Sequence, residues 1–332
     1  MSSPVVPMIR ANSSAIPQAE ELGAFHTCWY PVALSAEVAP EQVMGVNFLG
    51  GKVIVYRTAA GVAHVKSAYC RHLGADLSGG KVLGDRIRCP YHFWAYGEDG
   101  ACADVPAGDI PPPKARLFSY PTRESIGIIW AFNGETPTYD PPHFNRPESE
   151  LQLDAFRNPV TMHAALPFMF INAFDLQHFK VVHHMDITVD EQAMRRDGDV
   201  LHYDAHTAAP EFGKVVQNRT LWGVGAVTIH SLRGGRSFYL LHSLCPVSDN
   251  LTVGFLVNAV AREAKDDDAP PVEQVMSEAR EFSLRLVNED SYIFNNMRFR
   301  VDCLTKSDQL LAYGLRYIAS FPPSNPGLTL IS

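Results

Sequence analysis

Two short segments of the chain each pair one cysteine with one histidine. Cys70 and His72 lie in the first segment, Cys89 and His92 in the second, and sixteen residues separate His72 from Cys89. Structural zinc sites usually pair like with like, as Cys-x2-4-Cys and His-x3-5-His. Mixed pairs suit a [2Fe–2S] cluster better, because one iron can then take both thiolates and the other both imidazoles. We therefore predict a [2Fe–2S] cluster here, with a mononuclear zinc site as the alternative.

Two imidazoles in place of two thiolates would give such a cluster a high reduction potential. The exchange raises the potential from about −400 mV into a range of roughly −150 to +300 mV. A cluster in that range can accept an electron from a reductase and pass it on. Between the two segments, Gly79, Gly80 and Gly84 would allow the turns that bring two hairpin tips together.

A second group of candidate ligands lies in residues 168–186. Asp175, His178 and His183 stand among apolar residues there, and polar groups are costly to bury without partners. Two histidines and one carboxylate form the facial triad of non-haem Fe(II) oxygen chemistry. On an ideal helix, side chains five residues apart point about 140° away from each other. The two histidines can therefore share a metal only if the predicted helix, residues 168–184, distorts or ends before His183.

The third ligand is predicted from a long helix near the C-terminus, residues 271–297. An apolar stripe runs along it at three- and four-residue spacing: Val275, Ala279, Phe282, Leu286, Ile293 and Met297. Asp290 lies on this stripe, where a buried carboxylate needs a compensating charge such as Fe(II). Its neighbour Glu289 lies off the stripe and is expected to be solvated. The sequence leaves three alternative ligands open: His184, Asp186 and Asp190.

The elements that must position these residues change character near the middle of the chain. Short segments between glycine turns predict an all-β unit with strands at 28–34, 52–58, 62–69, 85–89, 115–120 and 125–132. The following stretch, 133–150, is rich in proline and acidic residues and is typical of a domain boundary. Beyond it, strand-like segments between the two helices predict an antiparallel sheet packed on a long helix. The predicted fold class is α+β.

Composition and charge exclude several classes of protein. The 332 residues carry a formal net charge of −8, which disfavours non-specific nucleic-acid binding. No stretch approaches the roughly 18–20 apolar residues of a membrane span, and the first 22 residues lack a signal-peptide core. Six cysteines do not make a disulfide framework in a chain of this length. We expect a cytoplasmic protein that binds neither membrane nor nucleic acid.

The cysteine and histidine segments resemble the cluster-binding motif of Rieske-type ring-hydroxylating oxygenases. The family's spacing, Cys-x-His-x15-17-Cys-x2-His, is matched. Its CPYHxWxY run is matched by Cys89, Pro90, Tyr91, His92, Trp94 and Tyr96. Phe93 is the departure, because the family usually has Gly at that position. The chain is thus similar to the terminal oxygenase component, the α subunit, of a Rieske non-haem iron oxygenase.

The resemblance extends to the second group of ligands. The family's Asn-x2-Asp-x2-His-x4-His element is matched by Asn172, Asp175, His178 and His183. Its Asp-x-x-Ile-Trp element is similar to the run from Asp290 to Phe294. The resemblance implies that His178, His183 and Asp290 bind Fe(II), and that Asn172 and Asp175 are further catalytic residues. In that family the carboxylate at Asp175 connects an iron-bound imidazole to a cluster histidine, here His92, of the neighbouring subunit.

The resemblance also implies an architecture. The expected domains are an N-terminal arm at residues 1–24, an all-β Rieske [2Fe–2S] domain at 25–140 and a helix-grip, START-like catalytic domain at 141–332. Each chain would hold one [2Fe–2S] cluster and one Fe(II), and three chains would form a homotrimer. Aromatic residues that could line a substrate cavity are Phe168, Phe170, Phe174, Phe238, Tyr239 and Phe255.

The function implied is that of a terminal oxygenase. Electrons from NAD(P)H would arrive through a separate reductase or ferredoxin, because the sequence has no flavin or nicotinamide glycine motif. With O2, the enzyme would insert one or two oxygen atoms into a small apolar substrate, aromatic, alicyclic or steroid-like, or demethylate it. The alternative is a non-catalytic Rieske electron-transfer protein fused to a ligand-binding helix-grip domain.

Overall fold

The structure is a computed structural model and describes residues 15–209, 213–264 and 266–332. The strands of the first half are β1 Trp29–Leu34, β2 Val43–Phe48, β3 Gly51–Arg57, β4 Ala63–Ser67, β5 Lys81–Leu83, β6 Arg86–Arg88, β7 Ala95–Tyr96, β8 Cys102–Asp104, β9 Ser119–Tyr120, β10 Thr122–Ser125 and β11 Ile128–Phe132. Those of the second half are β12 Leu151–Arg157, β13 Asp186–Val189, β14 Arg195–Asp197, β15 Val200–Ala209, β16 Gly213–Trp222, β17 Ala226–Arg233, β18 Arg236–Ser248 and β19 Leu251–Ala261. The helices are α1 Leu166–Phe170, α2 Leu176–Val181, α3 Val272–Asn296, α4 Gln309–Ala319 and α5 Leu328–Ile331.

The first half is all β, as predicted. Its antiparallel sheets have the strand orders β1-β11-β10, β2-β3-β4-β9 and β5-β6-β7-β8. Apolar residues of β1 and β11 meet in register, Trp29 opposite Phe132, with ring centroids 5.3 Å apart. Both rings are almost fully buried, and burial of such a side chain contributes roughly 1.5–3 kcal/mol. The predicted segment 115–120 is a strand only at its end, Ser119–Tyr120.

The second half is one eight-stranded antiparallel sheet with a long helix on it. The strand order is β12-β19-β18-β17-β16-β15-β13, and β14 pairs with β15. The predicted long helix is α3, and its buried side chains are Val275, Ala279, Ser283, Val287 and Phe294. Met297 was predicted on the buried stripe, but it follows the last helical residue and is 39% exposed. The predicted α+β layout is confirmed.

The single helix predicted for residues 168–184 is wrong. The structure has α1, then a 3-10 turn at Ile171–Phe174, then α2. Asp175 separates them, because its backbone is extended (φ −94°, ψ 92°) and its Oδ1 accepts a hydrogen bond from the backbone N–H of His178 at 2.9 Å. An aspartate in this position caps a new helix more favourably than it continues an old one.

The last residues of the chain return to the first half. Asn133 donates a hydrogen bond to the carbonyl of Ser324 at 2.7 Å, and Asn325 donates one to the carbonyl of Leu49 at 2.8 Å. The carbonyl oxygen of Ile331 comes so near Gly51 that a Cβ there would lie 2.4 Å from it. The domain limits at 24 and 140 stay a prediction, and residues 1–14 of the predicted arm lie outside the described residues. In the described part of the chain, no helix combines the length and apolar character needed to cross a membrane.

Candidate active site

The two cysteine and histidine segments form neighbouring loops. The first loop joins β4 to β5, and the second joins β6 to β7. Cys70 and Cys89 are 4% and 1% exposed, whereas His72 and His92 are exposed. The imidazole rings of the two histidines lie 4.7 Å apart between centroids. The loops thus present a buried thiol pair and an exposed imidazole pair.

Local contacts fix this arrangement. The backbone N–H of Cys89 donates to the carbonyl of Trp94 at 2.8 Å, and the indole of Trp94 stacks on His72 with centroids 4.5 Å apart. The hydroxyl of Tyr96 lies 3.1 Å from Cys70 Sγ. Burial raises the pKa of the Cys70 thiol, the hydrogen bond with Tyr96 opposes the rise, and the nearby Cys89 thiol adds to it. Two adjacent thiols in a buried pocket, with two imidazoles outside it, fit the donor set of a [2Fe–2S] cluster with two histidines.

Phe93 has an unusual backbone in the second loop. Its φ is +63°, the left-handed region that favours glycine. This conformation explains why glycine is usual at this position in the Rieske-type oxygenases that the sequence resembles. The ring is 50% exposed, and the guanidinium of Arg88 lies 5.0 Å from its centroid. Leu73 and Tyr91 are 67% and 62% exposed, so an apolar rim surrounds the exposed imidazoles.

The structure brings three of the other candidate ligands together. The Nε2 atoms of His178 and His183 are 2.9 Å apart, and Asp290 Oδ1 lies 3.0 Å from the first and 3.3 Å from the second. An octahedral metal with bonds of about 2.1 Å separates adjacent ligand atoms by about 3 Å. Asp290 Oδ1 is buried without a well-formed hydrogen bond in the described chain. The three residues therefore fit one metal ion better than they satisfy one another.

The end of α2 explains how two histidines five residues apart can face the same point. His178 lies in the helix, and His183 follows after the helix has ended at Val181. His184 then has φ +56°, which turns the chain away. The other alternative ligands, His184, Asp186 and Asp190, are exposed and lie outside the group of three. Asp186 pairs instead with Lys180 at 3.4 Å.

Glu289 was expected to be solvated, and this expectation is wrong. Its Oε2 lies 2.7 Å from His183 Nδ1, and Arg285 contacts both carboxylate oxygens at 2.9 and 3.0 Å. Nδ1–H must then donate to Glu289, which leaves the Nε2 lone pair for a metal. The Glu289 side chain is long enough to curl from the edge of the stripe to the ring. Its i, i+4 spacing from Arg285 was a weak signal of a fixed carboxylate.

Charges around the group of three perturb its pKa values. Burial favours a higher pKa for Asp290, but the close imidazoles of His178 and His183 outweigh it and lower the pKa. Burial favours a lower pKa for His183, but Asp290 and Glu289 outweigh it and raise the pKa. Asn172 Nδ2 lies 3.1 Å from His178 Nε2. Asp175 contacts the backbone of His178 through its capping bond.

A cavity lies beside the three candidate ligands, between the sheet and α3. It has about 1070 Å³ of empty space, part of it open to solvent, which suits a small organic ligand. Its apolar wall includes Met162, Met169, Phe170, Phe179, Met185, Ile229, Leu240, Leu256, Phe282 and Phe294. Of the six aromatic residues predicted to line a cavity, only Phe170 lines this one. Phe174 and Phe255 pack in the core, and Phe168 stacks on Phe299.

Several polar residues of the cavity wall were not singled out in the sequence, among them Gln217, Arg219 and His242. Gln217 and Arg219 lie on β16, and His242 lies on β18. Gln217 and Arg219 are only 2% and 3% exposed. Their spacing of two residues places both on one face of the strand. Because these inward positions are polar, the segment lacks the apolar alternation by which a strand is recognised in a sequence.

Comparison with known proteins identifies the class of the first half. Residues 28–121 match the family described as Rieske [2Fe-2S] domain. This stretch belongs to that family, and it contains all four candidate cluster ligands.

Curated relatives match about half of the chain. The oxygenase component of 3-ketosteroid-9-alpha-monooxygenase from Rhodococcus rhodochrous is 32% identical over 162 residues, which are 47% of this chain and 42% of the relative. Cholesterol 7-desaturase nvd from Xenopus laevis is 34% identical over 160 residues, which are 47% of this chain and 35% of the relative. The matched stretch thus spans less than half the length of these two relatives.

Solved structures share the fold over most of the chain. NdmB of Pseudomonas putida CBB5 superposes with a TM-score of 0.69 at 20% identity, over 92% of each chain. Dicamba monooxygenase bound to dicamba superposes with a TM-score of 0.68 at 18% identity, over 88% of this chain and 96% of the other. The resemblance to Rieske oxygenase components is thereby confirmed in sequence and in fold.

Proposed function

We propose that the chain is the terminal oxygenase component of a Rieske non-haem iron oxygenase. One observation carries the proposal: His178 Nε2, His183 Nε2 and Asp290 Oδ1 converge beside an apolar cavity, in the same chain as a Rieske domain. A ligand-binding domain without chemistry has no need of two imidazoles and a carboxylate that leave each other unsatisfied.

The proposal assigns roles to the residues of both sites. Cys70, His72, Cys89 and His92 hold the [2Fe–2S] cluster, and His178, His183 and Asp290 hold Fe(II). When bound, the cluster and Fe(II) supply the reductive activation of O2 that oxidises the substrate. Glu289 fixes the tautomer of His183, and the apolar cavity wall excludes water from the reacting groups.

Electrons in this proposal come from NAD(P)H through a separate reductase or ferredoxin. The exposed imidazoles and their apolar rim support a protein contact at that edge of the cluster. We further propose a homotrimer, in which the cluster of one subunit serves the iron of the next. Asp175, which caps α2 at the backbone of His178, is the proposed connection between that cluster and the iron site. Asn172 contacts the imidazole of the same histidine.

The substrate is proposed to be a small, largely apolar organic molecule. The size and the apolar wall of the cavity support this class. The relatives are named for oxidation of a ketosteroid and of cholesterol, and a structural neighbour is bound to dicamba. Hydroxylation and oxidative demethylation are the reactions proposed.

A labelling experiment tests the proposal. The purified chain is reduced chemically and exposed to 18O2 with a panel of steroids and of O- or N-methylated aromatic compounds, and products are analysed by mass spectrometry. We expect labelled product, or release of a demethylated product, from the wild-type protein. Asp290→Ala should keep the cluster absorbance and form no product, whereas the exposed control Asp186→Ala should react normally. Product formed by Asp290→Ala would contradict the ligand assignment, and a chain inert toward the whole panel would favour the non-catalytic alternative.

A further inference from the structure

Arg219 is a buried charge without a carboxylate partner among the described residues. It is 3% exposed, and none of its atoms makes an ion pair with a described aspartate or glutamate. Its Nε and Nη2 donate to one acceptor, Oε1 of Gln217, at 3.2 and 2.7 Å. A guanidinium has five N–H donors, so most of its donors find no protein acceptor in the described chain. Such a charge is costly to bury unless something pairs with it.

The guanidinium is held in place rather than mobile. Oε1 of Gln217 also accepts a hydrogen bond from Thr207 Oγ1 at 3.0 Å, which fixes the amide that orients Arg219. The ring of Phe179 lies 4.9 Å from Arg219 Cζ and covers one side of it. Arg219, Gln217 and Phe179 all line the cavity, so a ligand bound there can meet the unused donors.

The position of this charge is close to the candidate iron site. Phe179 follows the candidate ligand His178 in α2, and its ring centroid is 5.9 Å from that of His183. Phe179 therefore bridges the candidate ligands and Arg219. A substrate group bound by Arg219 would anchor a small molecule within reach of the candidate iron site.

The rest of that wall does not neutralise the charge. Asp290 belongs to the candidate ligand set, where its Oδ1 lies against His178 and His183, and no ion pair joins it to Arg219 among the described residues. His242, on β18, is the other titratable residue that the sheet contributes to the described cavity wall. Burial first, and then the charges of His183 and Arg219, lower the pKa of His242 to about 4, against the opposing effect of Asp290. His242 is thus neutral at neutral pH, and no residue that the structure describes forms a hydrogen bond with its buried Nε2.

We infer that the substrate carries a carboxylate, which Arg219 binds with the donors that the protein leaves unused. A planar guanidinium matches a carboxylate through two parallel hydrogen bonds. The apolar body of the substrate lies along the apolar wall, and the neutral His242 offers a further polar contact. The inference rests on the proposed function, and it narrows the substrate class to apolar organic acids.

The test measures binding and needs no turnover. The full-length protein with its cluster and iron, oxidised, is titrated with two acids and their methyl esters: 2-naphthoate with methyl 2-naphthoate, and adamantane-1-carboxylate with its ester. Affinity is measured by calorimetry and by the rise in melting temperature. We expect at least one acid to bind about 10-fold or more tightly than its ester, because only the acid pairs with the charge.

Variants locate the acid preference. Arg219→Met should abolish it and leave ester binding unchanged, while its melting temperature without ligand should stay equal or rise. Arg219→Lys should keep part of the preference. The control Lys214→Met removes an exposed charge from the same strand and should change nothing. Arg219→Gln serves the same purpose if Arg219→Met does not fold.

The outcomes separate this inference from the proposed function. The acid preference should persist in Asp290→Ala, which shows that the carboxylate does not bind the iron itself. Equal binding of acids and esters by the wild-type protein, no binding of either acid, or a preference kept by both neutral Arg219 variants overturns the inference. The proposed function would still stand on iron content and oxygen labelling. If the protein lacked the third iron or formed no labelled product but still preferred the acids, the proposed function would fail, and acid binding by Arg219 would still stand.

Discussion

The contact between Glu289 and His183 predicts the effect of one substitution on iron binding. The two side chains meet at 2.7 Å, and the His183 side chain is only 3% exposed, so water cannot replace a lost partner on the ring. Removal of such a partner typically costs 10- to 100-fold in metal affinity, about 1.4–2.8 kcal/mol. In Glu289→Gln the amide oxygen can still accept from Nδ1–H, but its NH2 then faces the guanidinium of Arg285. We expect about 10-fold weaker Fe(II) binding for Glu289→Gln and about 100-fold for Glu289→Ala.

The assay is an anaerobic competition titration of Fe(II) between the protein and a coloured chelator. The absorbance of the cluster, recorded in the same samples, reports whether the first half of the chain is intact. Glu281→Gln is the matched control, because Glu281 is exposed on the same helix and accepts a weak hydrogen bond from Ser277, at 3.5 Å. Wild-type affinity in both Glu289 variants would refute the idea that this carboxylate orients His183.

Substitutions at three further residues test other parts of the account. Phe93→Gly should be more stable than Phe93→Ala by up to about 1 kcal/mol in denaturant titrations. Both variants lose the contact with Arg88, but only alanine keeps a Cβ at φ +63°. Equal stabilities would show that the position is not strained. Burial lowers the pKa of His26 against the opposing hydrogen bond to Leu22, so the folded state keeps it neutral and unfolding becomes easier as the pH falls below about 6.5. Melting temperatures from pH 8 to 5 should therefore fall less steeply in His26→Gln, and an unchanged slope would contradict this. Asp175→Asn can still cap α2 and should keep cluster and iron but lose most turnover; normal product yield would remove Asp175 from the electron route.

The candidate ligand sets could be proposed from the sequence because their signals are local. Cys70, His72, Cys89 and His92 lie in two short segments, where spacing alone indicates the metal chemistry. Asp290 was found from the period of one uninterrupted helix. Spacing within a short segment and periodicity along one helix involve residues close together in the chain, so both can be recognised without the fold.

The features that were not predicted from the sequence are those in which residues near the candidate site depart from the usual pattern of apolar residues. The break at Asp175 was missed because an apolar run favours a continuous helix, while a cap depends on one side chain turning back to the backbone. Strand β16 was missed because Gln217 and Arg219 occupy positions where a buried strand normally has apolar residues. The contact of Glu289 with His183 joins residues 106 positions apart, and no local spacing predicts it.

Iron and acid-labile sulfide per chain test the central claim most directly. After anaerobic reconstitution with iron and sulfide and removal of loosely bound metal, the wild-type protein should hold about three irons and about two sulfides. Asp290→Ala should hold about two irons, with the same sulfide content and the same cluster absorbance. A wild-type chain that holds only about two irons, or an Asp290→Ala chain that keeps the third, would contradict the account.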